Sequence, residues 1–390
     1  MSQWKMVEIG KCCTSISKVK ADYFSSVDEF IYIDISAIDR ETKAICSIEP
    51  MLADDAPSRA KQIIKKDDVL ISTVRPNLNA VAKVNAFADG AIASTGFCVL
   101  RSNPEVINST YLYYFVRSNS FIDYLNSLAT GASYPAVSDK IVKACKIPLP
   151  PLDIQKQNVT RLELAQALID QRKQQLGMMD TLIQSTFYEM FGDPVKNEKR
   201  WEIKPLSLLS KKITDGTHQS PNWADNGHPF IFVSNIRNHE IDFNTSKFVS
   251  QEEAIRLHKG CKIEIGDVLL TVVGSYGYSA RVKDSNVFAF QRHIAHIKPL
   301  PGLIDSVFLE RLLSSLEIKG YIDNVVTGIA QKTLTLSELK KLPTIVPPLP
   351  LQQRFATRVQ QIETLKSQMT ASLAELEQNF NALMQQSFAG

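Results

Sequence analysis

The sequence has no long apolar run and no large excess of charge of one sign. No stretch reaches the roughly 18 apolar residues that a membrane-spanning helix needs. The first residues also lack the apolar core of a secretory signal. We therefore expect a cytoplasmic protein. The net charge is only +3, so any contact with nucleic acid must come from local basic clusters and not from a general positive field.

The sequence also lacks the patterns of common catalytic and metal sites. Its six cysteines include no Cys-x-x-Cys pair, which argues against structural zinc and favours reduced, mostly buried thiols. Neither the dinucleotide-binding fingerprint nor the P-loop motif occurs. The Asn/Asp-Pro-Pro-aromatic tetrapeptide of adenine methyltransferases is missing, and residues 193–195 are its nearest approach. His293 and His296, three apart in an expected strand, should face opposite sides and are assigned solvent or core roles. We predict no catalytic residue and no metal ligand.

An internal repeat decides the fold. A shift of 197 residues brings several stretches into register: Trp4 with Trp201, Tyr111-Leu112 with Phe308-Leu309, Gly131 with Gly328, Pro150-Pro151-Leu152 with Pro347-Pro348-Leu349, and Phe191 with Phe388. A catalytic site in a tandem duplicate should appear twice, or once with a relic, and neither pattern is seen. The repeat therefore favours a binding protein over an enzyme.

Each half has the same layout: a strand-rich region, a Pro-Pro-Leu sequence and a helical stretch. Proline disfavours the helical conformation of the residue before it and is accepted in the first turn of the next helix. We predict globular domains at 1–150 and 193–346, each followed by a long helix, at 151–192 and 347–390.

Within the domains, strands that run into turns are expected at 69–74 and 268–273. One short helix is expected at about 109–126, and another at about 305–323.

The two helical stretches carry a heptad pattern. From Leu162 and from Val359, apolar residues recur at steps of three and four for about four heptads. Leu164, Leu168 and Leu182 are expected to widen the first apolar face. Two similar helices are most simply explained by packing on each other, although a parallel pair, or packing of each helix on its own domain, stays possible.

The predicted fold class is α+β. It has two tandem α/β domains separated by two long helices packed as an antiparallel coiled coil, with a pseudo-two-fold internal repeat.

This layout resembles that of the specificity (S) subunits of type I restriction–modification systems. The segments that carry the resemblance are 215–221, 227–231, 234–236 and 265–271, together with the motif Pro-Pro-Leu-x-x-Gln that ends at Gln155 and Gln352. The resemblance covers essentially the whole chain. The Asp-Gly-Thr-His sequence at 215–218 has no clear counterpart in the first half.

The resemblance implies a non-catalytic subunit that reads a bipartite, asymmetric site in double-stranded DNA. It implies two adenine-N6 methyltransferase (modification) subunits and restriction/translocase subunits as partners. S-adenosylmethionine, ATP and Mg are expected on those partners, and no cofactor is expected on this chain. A stand-alone DNA-binding or scaffold protein of the same architecture, and an enzyme whose duplicated domains bind a ligand, remain alternatives.

Candidate DNA-contacting residues follow from the chemistry of readout. Base edges need side chains with donors and acceptors on loops that can enter the major groove, and phosphates need cations, hydroxyls or backbone N–H groups. In the second half the candidates are Thr217, His218, Gln219, Ser275, Tyr276, Gln291, Arg292, Gln331 and Lys332. In the first half they are Arg75, Asn77, Ser94, Thr95, Ser133 and Tyr134. For any one of them, an ordinary surface turn is the competing interpretation.

Overall fold

The computed structural model describes residues 4–20, 22–25, 27–46, 48–131, 133–258, 262–328 and 332–388. It divides into two compact units. Unit 1 comprises Met1–Lys173 and Ala371–Gly390, and unit 2 comprises Gln174–Thr370. Each unit therefore contains one globular domain and a stretch of each long helix.

Unit 1 combines short strands with three short helices and the first part of a long one. Its strands are β1 (Met6–Glu8), β2 (Cys13–Thr14), β3 (Ser17–Lys18), β4 (Glu29–Ile33), β5 (Ile38–Asp39), β6 (Ala44–Ile45), β7 (Pro50–Leu52), β8 (Ala60–Ile63), β9 (Val69–Ser72), β10 (Val81–Lys83), β11 (Ile92–Ser94), β12 (Phe97–Ser102) and β13 (Lys146–Pro148). Its helices are α1 (Ser109–Arg117), α2 (Asn119–Leu128), α3 (Asp139–Ala144) and the start of α4 (Leu152–Phe191).

Unit 2 has a comparable set of elements. Its strands are β14 (Glu202–Pro205), β15 (Ser210–Asp215), β16 (Trp223–Ala224), β17 (His228–Ile231), β18 (Ile236–Arg237), β19 (Glu240–Ile241), β20 (Phe248–Val249), β21 (Val268–Thr271), β22 (Ser279–Arg281), β23 (Ala289–Phe290), β24 (Ile294–Pro299) and β25 (Pro343–Val346). Its helices are α5 (Gln251–Leu257), α6 (Ser306–Leu313), α7 (Leu316–Val325), α8 (Leu336–Lys341) and the start of α9 (Leu349–Phe388).

The central sheets of the two units have the same strand order. In unit 1 the order is β10-β9-β12-β2, and in unit 2 it is β22-β21-β24-β15. All residues of the inner strands β9 and β21 are buried, as their continuous apolar sequences predict. A second sheet, β3-β8-β11-β4-β7 in unit 1 and β16-β20-β17-β23 in unit 2, completes each domain. The predicted tandem repeat of mixed helix and sheet is confirmed.

The prediction of one helix at 109–126 and one at 305–323 was wrong, because each stretch forms two helices. Ser118 lies in extended conformation between α1 and α2, and its hydroxyl accepts a hydrogen bond from the Phe121 N–H. Ser315 caps α7 in the same way through the Ile318 N–H. A serine whose side chain satisfies a free N–H starts a new helix there.

Each central sheet is tied together by a buried carboxylate. In unit 1 the Asp68 carboxylate accepts hydrogen bonds from the Lys65 N–H and from both Nε and Nη2 of Arg101. In unit 2 Asp267 accepts from the equivalent Glu264 N–H. The carboxylate thus caps a turn and pairs with a cation on the neighbouring strand.

The carboxylate of unit 2 has two partners on the neighbouring strand instead of one. Lys298 Nζ and His296 Nε2 lie 2.8 and 2.6 Å from Asp267 Oδ2. Burial alone would raise the pKa of Asp267, but the hydrogen bonds from His296 and Lys298 hold it below its usual value. His296 is fully buried, so of the solvent or core roles expected for it, it has the core role.

A buried glutamine joins each domain to its spacer helix. The amide of Gln155 accepts from the Asn108 N–H and donates to the carbonyl oxygens of Val106 and Pro150. In unit 2, Gln352 makes the same three bonds, to the Asp305 N–H and to the carbonyl oxygens of Leu303 and Pro347. Both glutamines are completely buried. These six bonds give a structural reason for the glutamine of the Pro-Pro-Leu-x-x-Gln motif.

The two long helices pack antiparallel within each unit. In unit 2, Asp180 pairs with Lys366 at 2.7 Å, and further along α4 Phe191 packs against Phe355, earlier in α9. Residue numbers rise along one helix as they fall along the other. In unit 1, the Lys173 Nζ lies 3.0 Å from Glu377.

The helices also contribute side chains to the domain cores. In unit 1, Phe388 at the end of α9 packs on Tyr111, with ring centroids 5.0 Å apart. In unit 2, Phe191 at the end of α4 packs on Phe308, at 4.7 Å. Leu164, Leu168 and Leu182, which were expected to widen the first apolar face, are 63, 52 and 47% exposed, so the described residues leave this part of the face uncovered.

We expect Gln155→Met to lower the free energy of unfolding by about 1–3 kcal/mol, because a similarly shaped apolar side chain leaves buried backbone groups without partners. Denaturant unfolding measures the change. Gln157→Met, the same substitution at an exposed position two residues later, is the control. Equal stability of the two variants would contradict the role of Gln155 in joining the domain to its helix.

We expect Asp267→Asn to cost about 3 kcal/mol at pH 7, because it breaks a buried ion pair. The pKa of Asp267 is lowered in the folded chain, so its ionised form stabilises the fold above about pH 4 and this contribution is lost as the pH falls further. The variant should therefore lose stability less steeply in acid than the wild type. Asp225→Asn, at an exposed turn, should keep the wild-type acid slope in the same titration.

Candidate nucleic-acid interface

In unit 1, three loops meet beyond the end of β9. The Thr73 N–H donates to the Gly96 carbonyl oxygen, the Val137 N–H donates to that of Thr73, and the Arg75 N–H donates to that of Pro135, with N···O distances of 2.9, 2.9 and 2.7 Å. We call residues 73–79, 94–96, 130–131 and 133–137 the unit 1 loop cluster. It contains all six DNA-contact candidates of the first half.

Unit 2 repeats these three bonds. The Val272 N–H donates to the His293 carbonyl oxygen, the Leu334 N–H to that of Val272, and the Gly274 N–H to that of Lys332, at 2.9, 2.8 and 3.1 Å.

A fourth loop joins this group, because Thr217 bridges to Gln291 and its carbonyl oxygen accepts from the Arg292 N–H. Residues 215–220, 271–277, 290–294, 327–328 and 332–334 form the unit 2 loop cluster. It contains eight of the nine candidates of the second half, and Gln331 lies outside the described residues.

In the unit 1 loop cluster, a cation and an aromatic ring are stacked at the surface. Arg75 adopts a left-handed backbone conformation with φ 50°, which is uncommon for a side chain with a Cβ. Its guanidinium carbon lies 4.5 Å from the centroid of the exposed Tyr134 ring. The stack holds the arginine side chain in place while its donors remain available.

The remaining candidates of unit 1 differ in accessibility. Asn77, Thr95 and Ser133 are exposed. Ser94 is buried, and its hydroxyl accepts a hydrogen bond from the Gly96 N–H at 3.1 Å. Its side chain therefore closes the turn that exposes Thr95.

In the unit 2 loop cluster, several candidates are fixed by local hydrogen bonds. His218 Nε2 lies 2.8 Å from Asp215 Oδ2, and the Thr217 hydroxyl donates to the Gln219 carbonyl oxygen. The Tyr276 hydroxyl donates to Asp323 at 2.6 Å, and this bond raises the pKa of Tyr276.

The other described candidates of unit 2 are accessible to different degrees. Ser275, Arg292 and Lys332 are exposed and Gln291 is half-buried. Sequence reasoning missed Arg237, Tyr278 and Lys319, which border this cluster.

The two repeats match one family of known proteins. A model of the type I restriction modification DNA specificity domain matches residues 1–177 and again 198–378. The chain belongs to this family. The double match falls on the two repeats, so the predicted family, the tandem fold and the role as a DNA specificity subunit are confirmed, and the scaffold alternative is not favoured.

Individual relatives have low sequence identity to this chain, but the matched regions cover most of it. The specificity subunit is 22% identical over 358 residues to that of the type I restriction enzyme EcoKI of Escherichia coli K12, covering 85% of this chain and 76% of the relative. A solved structure described as "Structural basis underlying complex assembly and conformational transition of the type I R-M system" is 26% identical, covers 99% of this chain and 98% of its own, and has a TM-score of 0.69.

A second solved structure supports the fold. The S subunit from M. genitalium is 12% identical, with a TM-score of 0.53 and coverage of 100% of this chain and 97% of its own. Among the described residues of this specificity subunit, no helix is long and apolar enough to cross a membrane.

Gly216 tests how closely the fourth loop approaches the sheet. A Cβ at this position would overlap the backbone carbonyl oxygens of Phe290 and Gln291. We expect Gly216→Ala to destabilise the chain by about 1–3 kcal/mol, because backbone must move to make room. Gly302→Ala is the control, since that position faces open space. Equal unfolding midpoints for the two variants in denaturant would rule out this close approach.

Proposed function

We propose that this specificity subunit reads a bipartite, asymmetric site in double-stranded DNA, with one loop cluster on each half-site. The observation that carries the proposal is the pair of equivalent loop clusters with unlike side chains. The backbone bond made by Arg75 in unit 1 is made by Gly274 in unit 2, and the shift of 197 residues sets Thr95 against Arg292. Backbone bonds keep the loops in place, so the side chains are free to differ.

We further propose that the chain is non-catalytic and acts with partner subunits in the cytoplasm. Two modification subunits would carry S-adenosylmethionine and methylate adenine N6, and restriction/translocase subunits would use ATP and Mg. The similarity to EcoKI and to a chain from a study of type I complex assembly supports this role. The antiparallel helix segments in each unit would provide the docking surface for the modification subunits and set the gap between the half-sites.

Methylome mapping of the host tests this function. Deleting the gene should abolish methylation at one bipartite adenine motif, and restoring it should return that motif alone. A methylome that is unchanged by the deletion would contradict the proposed role. Co-purification should also yield a methyltransferase at about twice the amount of this chain.

Arg292 is expected to contribute to one half-site only. Arg292→Ala should weaken or relax recognition of the half-site read by unit 2, with a loss of about 1–3 kcal/mol for a bidentate base contact. Thr95→Ala, at the equivalent position of unit 1, is the matched variant and should affect only the other half-site. Methylation-protection footprints separate the two effects. If either variant changed both half-sites equally, the assignment of one domain to one half-site would be wrong.

A further inference from the structure

Tyr278 is sandwiched between two cations beside the unit 2 loop cluster. The guanidinium carbon of Arg237 lies 4.2 Å from the centroid of the tyrosine ring, and Lys319 Nζ lies 5.3 Å from it. The three residues come from three elements: Arg237 ends β18, Tyr278 precedes β22, and Lys319 lies on α7. Tyr278 is still 37% exposed, so the sandwich is at the surface.

The surrounding backbone holds this sandwich in place. Arg237 Nη1 donates to the carbonyl oxygens of Val233 and Ile236 at 3.0 and 2.7 Å. The Tyr278 N–H donates to the Thr271 hydroxyl, and its carbonyl oxygen accepts from the Thr271 N–H. The arginine and the ring are therefore pre-organised, which lowers the entropic cost of binding a ligand.

The sandwich adjoins residues that the proposed function assigns to base recognition. Tyr278 follows the Ser275-Tyr276 turn directly, and that turn is closed by the Gly277 N–H, which donates to the Thr271 carbonyl oxygen. Lys319 lies one helical turn before Asp323, the residue that accepts the Tyr276 hydroxyl. A group bound by Arg237 and Lys319 would thus lie next to the candidate base-reading loop.

The two cations are not neutralised by the protein. Among the residues that the structure describes, neither Arg237 nor Lys319 has a carboxylate within 4.0 Å, although Lys283, Lys298 and Arg311 in the same unit all do. Two positive charges on one ring repel each other and attract an anion.

Unit 1 uses the equivalent position differently. Ala80 lies where unit 2 has Tyr278, because the Ser72 N–H donates to the Ala80 carbonyl oxygen as the Thr271 N–H does to that of Tyr278. Lys43 Nζ donates to the carbonyl oxygen of the preceding Asn79. Burial and the nearby Arg117 lower the pKa of Lys43. That lysine serves the protein's own backbone, so the sandwich is a feature of unit 2.

We propose that Arg237 and Lys319 bind a phosphate group of the DNA backbone beside the half-site read by unit 2. Arginine presents a fork of donors that matches a phosphate, and lysine adds a mobile point charge. The contact would position the domain on the duplex without reading its sequence. This inference rests on the proposed function.

The salt dependence of binding tests the proposal. The full-length chain, co-purified with its modification subunits, is titrated with a duplex that carries the mapped motif and with one in which the half-site of unit 2 is scrambled. The logarithm of the binding constant is measured against the logarithm of the KCl concentration. Lys319→Gln should make the slope shallower by about 0.9, the value for one lost phosphate contact, on both duplexes alike.

Further variants separate the charge from the fold. Arg237→Gln should make the slope shallower, as Lys319→Gln does, and Arg237→Lys should largely restore the wild-type slope. Tyr278→Phe keeps the ring and should behave as the wild type. Lys340→Gln, which removes an exposed lysine from α8, measures the effect of one charge lost elsewhere in the unit. Thermal unfolding of each variant identifies any loss of structure. Arg237→Gln is more prone to such a loss than Lys319→Gln, because the guanidinium of Arg237 donates hydrogen bonds to backbone carbonyl oxygens.

Two outcomes would overturn the proposal: a Lys319→Gln slope equal to that of Lys340→Gln, or a loss confined to the intact motif, which would indicate base readout. These outcomes differ from failure of the proposed function, in which the wild-type complex would not distinguish the mapped motif from the scrambled duplex at all.

Discussion

The buried amides of Gln155 and Gln352 are the joints on which the rest of each unit depends. A proline-rich turn exposes carbonyl oxygens, and each glutamine satisfies one of them while it also bonds the backbone at the start of α1 or α6. Buried polar groups must keep their partners, so bending the joint would break three bonds at once. Each recognition domain is thereby held to the start of its own spacer helix. Such a rigid attachment is required if the helices are to set the gap between the half-sites.

The loops are likewise held in position by hydrogen bonds of the backbone. The bonds that assemble both clusters join N–H and carbonyl groups, which every residue except proline supplies in full. The core pairs Asp68–Arg101 and Asp267–Lys298 fix the sheet below them. Side chains at the surface of the clusters can then vary with little effect on the frame, as the contrast between Arg75 and Gly274 illustrates. Two domains that read unlike half-sites, as proposed for this chain, need this separation of frame and reader.

The sequence predicted what depends on local pattern. Proline position and heptad spacing located the helices, and a constant shift matched the loops that the structure brings together. Local patterns fail where residues far apart in the sequence determine the structure. Heptad spacing cannot show whether another part of the chain covers Leu164, and Leu164 remains exposed. The break between α1 and α2 at Ser118 was missed, because a serine in the sequence can either cap a new helix or continue the existing one. The sandwich of Arg237, Tyr278 and Lys319 joins residues about 40 positions apart, and cation–π contacts have no sequence period.

Near-neutral charge is compatible with DNA binding because local cations contact phosphates, and part of the charge is paired inside the protein. In unit 2, Glu310 is buried beside His239 and Arg311, and Glu363 on α9 binds Arg311 and Lys283. The pairs made by Glu363 attach the domain to its helix, and all of these pairs neutralise charge locally. Non-specific affinity for DNA rises with the number of phosphates neutralised, so a strongly basic subunit would be held on the great excess of wrong sites. A net charge near zero keeps non-specific binding weak, and selectivity depends on the ratio of specific to non-specific affinity more than on affinity alone.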